Sequence, residues 1–231
     1  MNAPEGVTKF SVEHRTEPLS PSVLEALAPL SSWRRVLFEL GLIGRDPARY
    51  EGAGFGNVSL RLPPWGESAA RRRFLISGTQ TGGLPELGAE QVCVVEFHDA
   101  EANRVVSRGP MPPSSEALTH GAMYGASPSV RCVLHGHSPE LWRHAEALRL
   151  PTTSARVEYG TPAMAQEVAR VYRSTRAAEL GVMIMGGHED GVLSFGRSPE
   201  EAGLAMARAL ARAYSLAGSS RLTTIAPDHH S

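Results

Sequence analysis

The chain has 231 residues, with 23 lysines and arginines against 24 aspartates and glutamates, for a formal net charge of -1. That balance argues against a clustered basic surface for nucleic acid, and no run reaches the roughly 18–20 apolar residues of a membrane span. The two cysteines, Cys93 and Cys132, lie inside apolar runs and read as buried reduced thiols, in a chain long enough to build a core without disulfides.

Residues 1–21 are polar, contain prolines and show no period, so they read as a flexible arm. Their lack of an apolar signal segment makes a cytoplasmic protein the expectation. From Pro21 the pattern turns helical: Val23, Leu24, Leu27, Leu30, Trp33, Val36, Leu37 and Leu40 recur at helical spacing, and Gly41 and Gly44 stop the run. Residues 55–63 alternate as a strand with Val58, Leu60 and Leu62 on one face. A turn-rich link follows, its Arg71-Arg72-Arg73 run reading as a solvated strand edge. Residues 74–77 form a strand, 78–87 a glycine-rich loop, 91–97 another strand, and 98–113 a polar, hairpin-like excursion. A helix opens at Pro113-Ser114-Ser115-Glu116, with Ser114 or Ser115 as N-cap and Ala117, His120, Met123 and Tyr124 at helical spacing.

Residues 129–137 read as a strand whose alternation puts Val133, His135 and His137 on one face and Cys132 on the other. Thr161 caps a helix that begins with Pro162. Two short strands, 182–187 and 191–196, flank a tight turn holding His188. Ser198-Pro199-Glu200-Glu201 opens the last helix, which runs through Leu204, Ala207, Leu210, Ala211 and Tyr214; the tail after Gly218 is polar. Its Asp228-His229-His230 reads as a loose terminus rather than a metal site. Strands without regular βα alternation favour a mixed or antiparallel sheet with helices on its faces. The organisation is one α/β domain over residues 22–218, between an arm at 1–21 and a tail at 219–231.

Chemistry concentrates at three places. His135-Gly136-His137 lets two imidazoles converge on one ion, with Gly136 removing crowding between them. His188, among glycines, supplies a third imidazole at a strand end, and three histidines leave one open position on a catalytic zinc. Glu116 follows two serines at a helix N-terminus, where free N–H groups and hydroxyls attract an anion and a carboxylate can move a proton. A serine-hydrolase reading of Ser114 or Ser115 fails, because no flanking glycines form a nucleophile elbow.

These stretches together resemble the class II aldolase/adducin family. GFGNVSLRL, FLISGTQTG, PSSEALTHGAMYGASPSVRCVLHGHS, EYGTPAMAQEV and VMIMGGHEDGVLSFGRSPEEA come in family order over roughly residues 35–217. The resemblance implies a mixed, largely antiparallel α/β/α sandwich, assembled as a homotetramer with active sites between subunits. It implies that His135, His137 and His188 hold Zn2+ or another divalent ion such as Mn2+, Co2+ or Fe2+, and that Glu116 is the catalytic acid/base. Asn57, Ser77, Gly78, Thr79, Ser114 and Ser115 resemble the family's substrate-phosphate residues. The implied activity is aldol cleavage or formation on a small hydroxycarbonyl or sugar compound, with or without a phosphate, through an enediolate. Epimerisation or dehydration on the same site, and a non-catalytic adducin-like binding module, are the alternatives. Two departures stand out: the loop at residues 78–83 is longer than in many relatives, and Glu189 follows the third histidine where glycine is usual. Glu189 and Asp190 read as solvated.

Overall fold

The computed structural model describes residues 6–224. The chain begins with β1 (Ser11–Thr16), α1 (Pro21–Leu24), α2 (Leu27–Glu39), β2 (Gly44–Arg45), β3 (Gly54–Phe55), β4 (Asn57–Arg61) and β5 (Phe74–Ser77). Then come β6 (Val92–Asp99), β7 (Arg104–Gly109), α3 (Ala117–Ala126), β8 (Cys132–His137), α4 (Pro139–Arg143) and α5 (Pro162–Ser174). The chain closes with α6 (Ala177–Leu180), β9 (Val182–Ile184), β10 (Gly191–Gly196) and α7 (Pro199–Thr224).

One large sheet runs in the order β1-β7-β6-β5-β4-β8-β10-β9, and β2 pairs with β3 beside it. Within the large sheet only the edge pair β1–β7 is parallel; the other pairings are antiparallel. Helices cover both faces. Leu134 and Cys132 of β8 join Leu30 and Leu37 of α2 and Met206 and Leu210 of α7 in one core. Val133 of β8 joins Leu118 and Met123 of α3 and Val168 of α5 in the other. Each face therefore buries alternate side chains of the same strand, which is why β8 is buried along its whole length. The fold is the expected mixed, largely antiparallel α/β sandwich. Among the described residues no helix is long and apolar enough to cross a membrane.

Several local expectations need correction. The arm at residues 1–21 contains β1, which pairs along its full length with β7. Its burial pattern is mostly exposed, so it carried little hydrophobic signal. The first helix is two helices, because continuing it through Pro29 would set the proline ring against the Glu25 carbonyl and lose a hydrogen bond, costing about 3 kcal/mol. Ending α1 at Leu24 places Pro29 in the first turn of α2, where it needs no N–H partner. Val36 and Leu40 face outward, and Arg34 takes an inward place in α2 instead.

Strand β4 is covered on both sides, so Ser59 and Arg61 are buried along with Val58. The last helix continues to Thr224, and its buried stripe is Ala202, Met206, Ala209, Leu210 and Ala213, leaving Leu204 and Tyr214 exposed. The Asp228-His229-His230 segment lies outside the described residues. The excursion at 98–113 is a hairpin, β6 and β7, and both cysteines are buried and free.

Candidate metal centre

The site lies where β8 ends between β4 and β10. Asn57 is the register partner of His135 on one side, and Leu193 on the other; Gly191 stands opposite His137. Alternation aims His135 and His137 toward the α3 face. The turn between β9 and β10 returns His188 to the same place, closed by His188 N–H donating to Met185 O at 3.0 Å and Gly191 N–H to His188 O at 2.9 Å. Glycine is needed in this turn, since a Cβ on Gly187 would collide with the Val157 carbonyl.

The three imidazoles each offer a nitrogen within 4.8 Å of the others, and all three side chains are buried. His135 Nδ1 lies 3.1 Å from Val192 O, and a carbonyl only accepts, so Nδ1 carries the proton and Nε2 the lone pair. That bare Nε2 stands 3.2 Å from His137 Nε2. Two nitrogens on one tetrahedral ion, each about 2.0–2.1 Å from it, stand about 3.3 Å apart. Burial, and then the neighbouring His188, holds His135 and His137 well below the usual imidazole range. Neutral, lone-pair-bearing imidazoles gathered without solvent fit a divalent ion, and an all-nitrogen triad suits zinc and its neighbours.

Glu116 is 1 % exposed and its Oε1 lies 4.0 Å from His188 Nδ1. It stands at the N-cap of α3 itself, a correction to the expectation that Ser114 or Ser115 caps the helix. Ser114 closes the turn before it, its Oγ accepting from Glu116 N–H at 3.3 Å and its carbonyl from Ala117 N–H at 3.0 Å.

The expected anion residues divide. Asn57, Gly78, Thr79, Ser114 and Ser115 line one small cavity of about 20 Å³. Their meeting follows from a backbone splice: Thr79 N–H donates to Pro112 O and Ser114 N–H to Ser77 O, at 3.0 and 3.1 Å. Asn57 Oδ1 is buried with no hydrogen-bond partner among the described residues, leaving the amide available to a ligand. Ser77 does not line the cavity; its Oγ accepts from Val58 N–H at 3.1 Å and ties β5 to β4. The long loop is held from behind by Arg34, which donates to Leu84 O at 2.9 Å and Thr81 O at 2.6 Å. Burial lowers this guanidinium to about 10, still fully charged near neutrality.

Sequence reasoning missed the aromatic surroundings. Tyr159 stacks on His188 with ring centroids 4.2 Å apart, and Tyr50 meets His137 edge-on at 4.6 Å. Asp190 is not solvated: its Oδ2 accepts from Tyr50 OH at 2.7 Å, whereas Glu189 is exposed as expected. The contact joins residues 140 positions apart, and no local pattern announces it. A cleft of about 1120 Å³, lined by Tyr50, Trp142, Arg143, Arg156, Tyr159 and His188 among others, opens beside the centre.

The profile of the class II aldolase and adducin N-terminal domain matches residues 48–215. Methylthioribulose-1-phosphate dehydratase of Xanthomonas campestris pv. campestris (strain B100) is 39 % identical over 64 residues, 28 % of this chain and 26 % of that protein. The dehydratase of the same name from Stenotrophomonas maltophilia (strain R551-3) is 36 % identical over 83 residues, 36 % of this chain and 35 % of that one. These matches thus span well under half of the curated relatives. Among solved structures, L-fuculose-1-phosphate aldolase from Thermus thermophilus aligns with a TM-score of 0.62 at 19 % identity, over 87 % of this chain and 97 % of that one. The sugar-phosphate aldolase from Thermotoga maritima aligns with a TM-score of 0.61 at 14 % identity, over 83 % and 93 %. At such identities the structural likeness speaks for the fold.

Proposed function

Because the chain belongs to the class II aldolase and adducin family, we propose that it is a metal-dependent lyase that cleaves a small phosphorylated hydroxycarbonyl compound, a ketose 1-phosphate being the simplest. The observation that carries this reading is the meeting of His135, His137 and His188 within 4.8 Å, with Glu116 4.0 Å from His188. His135, His137 and His188 would hold a divalent ion, which when bound would supply a Lewis acid for the substrate's carbonyl oxygen. Asn57, Ser114, Ser115 and the Gly78–Thr79 backbone, around their shared cavity, hold the phosphate and fix the substrate's reach toward Glu116. In cleavage Glu116, removed from water, takes the proton of the hydroxyl on the second carbon from the carbonyl; that carbon leaves as an aldehyde while the carbon–carbon bond breaks, and Glu116 returns the proton to the carbon beside the carbonyl.

Aldol cleavage is the leading form of the reaction. Dehydration is the second, favoured by the curated relatives, which are named as dehydratases. Both use Glu116 as the proton carrier, cleavage drawing the proton from that hydroxyl and dehydration from the carbon beside the carbonyl. They part in whether a carbon–carbon bond or a neighbouring hydroxyl is lost. Incubating metal-loaded protein with ketose 1-phosphates separates them: triose phosphate marks cleavage, loss of one water marks dehydration, and inversion without mass change marks epimerisation. His135→Ala should lose the metal, and a variant that keeps its full content removes the core of the reading. Glu116→Gln should retain the metal yet lose about 10²–10⁴-fold in turnover. A protein that takes up no metal and turns nothing over would instead fit a binding module. We further propose a cytoplasmic homotetramer, which light scattering of purified protein checks; a monomer would refute it.

A further inference from the structure

The turn carrying His188 and the loop preceding β3 are joined by a contact that neither the fold nor the triad requires. Tyr50 OH donates to Asp190 Oδ2 at 2.7 Å and accepts from Arg49 Nη2 at 2.6 Å, while Arg49 Nη2 lies 3.8 Å from the same carboxylate oxygen. The Tyr50 ring packs edge-on against His137 at 4.6 Å and against Phe55 at 5.2 Å. From the other side, the Asp190 carbonyl accepts from Ser138 N–H at 2.8 Å, directly after His137. Asp190 is therefore bonded through its side chain to the residue that walls His137 and through its backbone to the residue that follows it. It also sits two positions after His188.

Backbone conformation marks the same spot. Of six non-glycine residues with positive φ among the described residues, Tyr50, Glu51 and Asp190 are three, at 49°, 56° and 60°. Left-handed side-chain-bearing residues persist where their surroundings over-determine them, commonly beside functional sites. The phenol has its proton committed to Asp190 and its oxygen to Arg49, so it is placed to hold geometry rather than to move a proton. Burial, and then Asp190, pushes its pKa above the ordinary tyrosine value, in keeping with that role.

We propose that Tyr50 and Asp190 form a clamp that fixes His137 and His188 relative to each other, making both positioning residues of the metal centre. This rests on the triad binding a divalent ion, as argued above. Outer-shell partners of metal ligands typically contribute 10–100-fold in affinity. The clamp differs from usual ones in acting through ring packing and a shared backbone hydrogen bond rather than on a ligand nitrogen.

The test is titration of metal-free protein with cobalt(II), following both affinity and the ligand-field spectrum, with thermal melting of each metal-free variant alongside. Tyr50→Phe keeps the ring against His137 and removes only the hydroxyl; Asp190→Asn keeps an acceptor oxygen. Tyr50→Phe should weaken cobalt binding by about 10–100-fold and shift the visible bands, with metal-free melting close to wild type. Asp190→Asn should be milder, and the double variant should be no weaker than Tyr50→Phe, because both act through one bond. Affinity within about twofold of wild type in Tyr50→Phe, or losses that multiply in the double variant, would overturn the clamp. So would a variant whose melting falls while its folded fraction binds cobalt unchanged. Wild-type protein that binds no cobalt, or His135→Ala protein that still does, would instead defeat the metal-centre reading itself.

Discussion

Gly136 sits between His135 and His137, yet its side faces away from both. On an alternating strand the intervening residue points to the opposite face, so it cannot make room between His135 and His137. A Cβ there would stand 2.8 Å from the Leu42 carbonyl, which accepts the His137 N–H at 2.8 Å. The glycine thus lets the segment after α2 approach β8 and brace it. Gly136→Ala must move backbone rather than a flexible side chain, and should cost about 1–3 kcal/mol. Melting of the metal-free protein checks this at roughly 2–4 °C per kcal/mol, and an unchanged midpoint would contradict it. At this scale the meeting of the three histidines was legible, because strand period and glycine-flanked turns are local properties. Tyr50 and Asp190 were not, since a bond between residues 140 apart leaves no trace in either neighbourhood.

Among the elements, β1 was the one hidden by its own composition. Its residues alternate little and lie mostly exposed, so the strand is held by its ladder to β7 and by partners far along the chain. Arg104 pairs with Glu13 at 2.8 Å, and His14 Nδ1 and Nε2 lie 3.0 and 3.1 Å from Ser107 Oγ and Gly109 O. Phe10, just before it, is 7 % exposed and belongs to the core shared with α3 and α5. Deleting residues 1–16 would uncover that core and leave β7 as a bare edge. The truncated protein should melt about 5 °C or more below the full chain and associate at high concentration. Calorimetry and light scattering would show it, and an unaltered melting point would make β1 dispensable. Pro29, by contrast, was a visible local signal: apolar period continued through it, and steric exclusion overrode the period.

The whole molecule carries its titratable stress inside the sandwich. Burial lowers His98 to about 4 and His120 to about 3, each desolvated and neutral near pH 7. Unfolded, the same imidazoles take up protons below about 6.5, so between about 6.5 and 4 the unfolded chain binds more protons and stability drops as the pH is lowered. Each such histidine contributes a slope of about 1.4 kcal/mol per pH unit in that window. Denaturation of metal-free protein at stepped pH should show the decline, and His98→Gln should flatten it by about one histidine's share. A variant as steep as wild type would contradict the assignment. The layered architecture was readable from element order and strand alternation; the sheet's outer order was not, because weakly apolar edges leave pairing to distant contacts. The seclusion of Cys93 and Cys132, one in each core, has a practical sequel. Desolvation raises both thiols far above their usual range, so maleimide reagents should pass the folded chain by. One cysteine introduced at exposed Glu189 would then take a fluorophore alone, reporting the motion of the turn that carries His188 without any background to subtract.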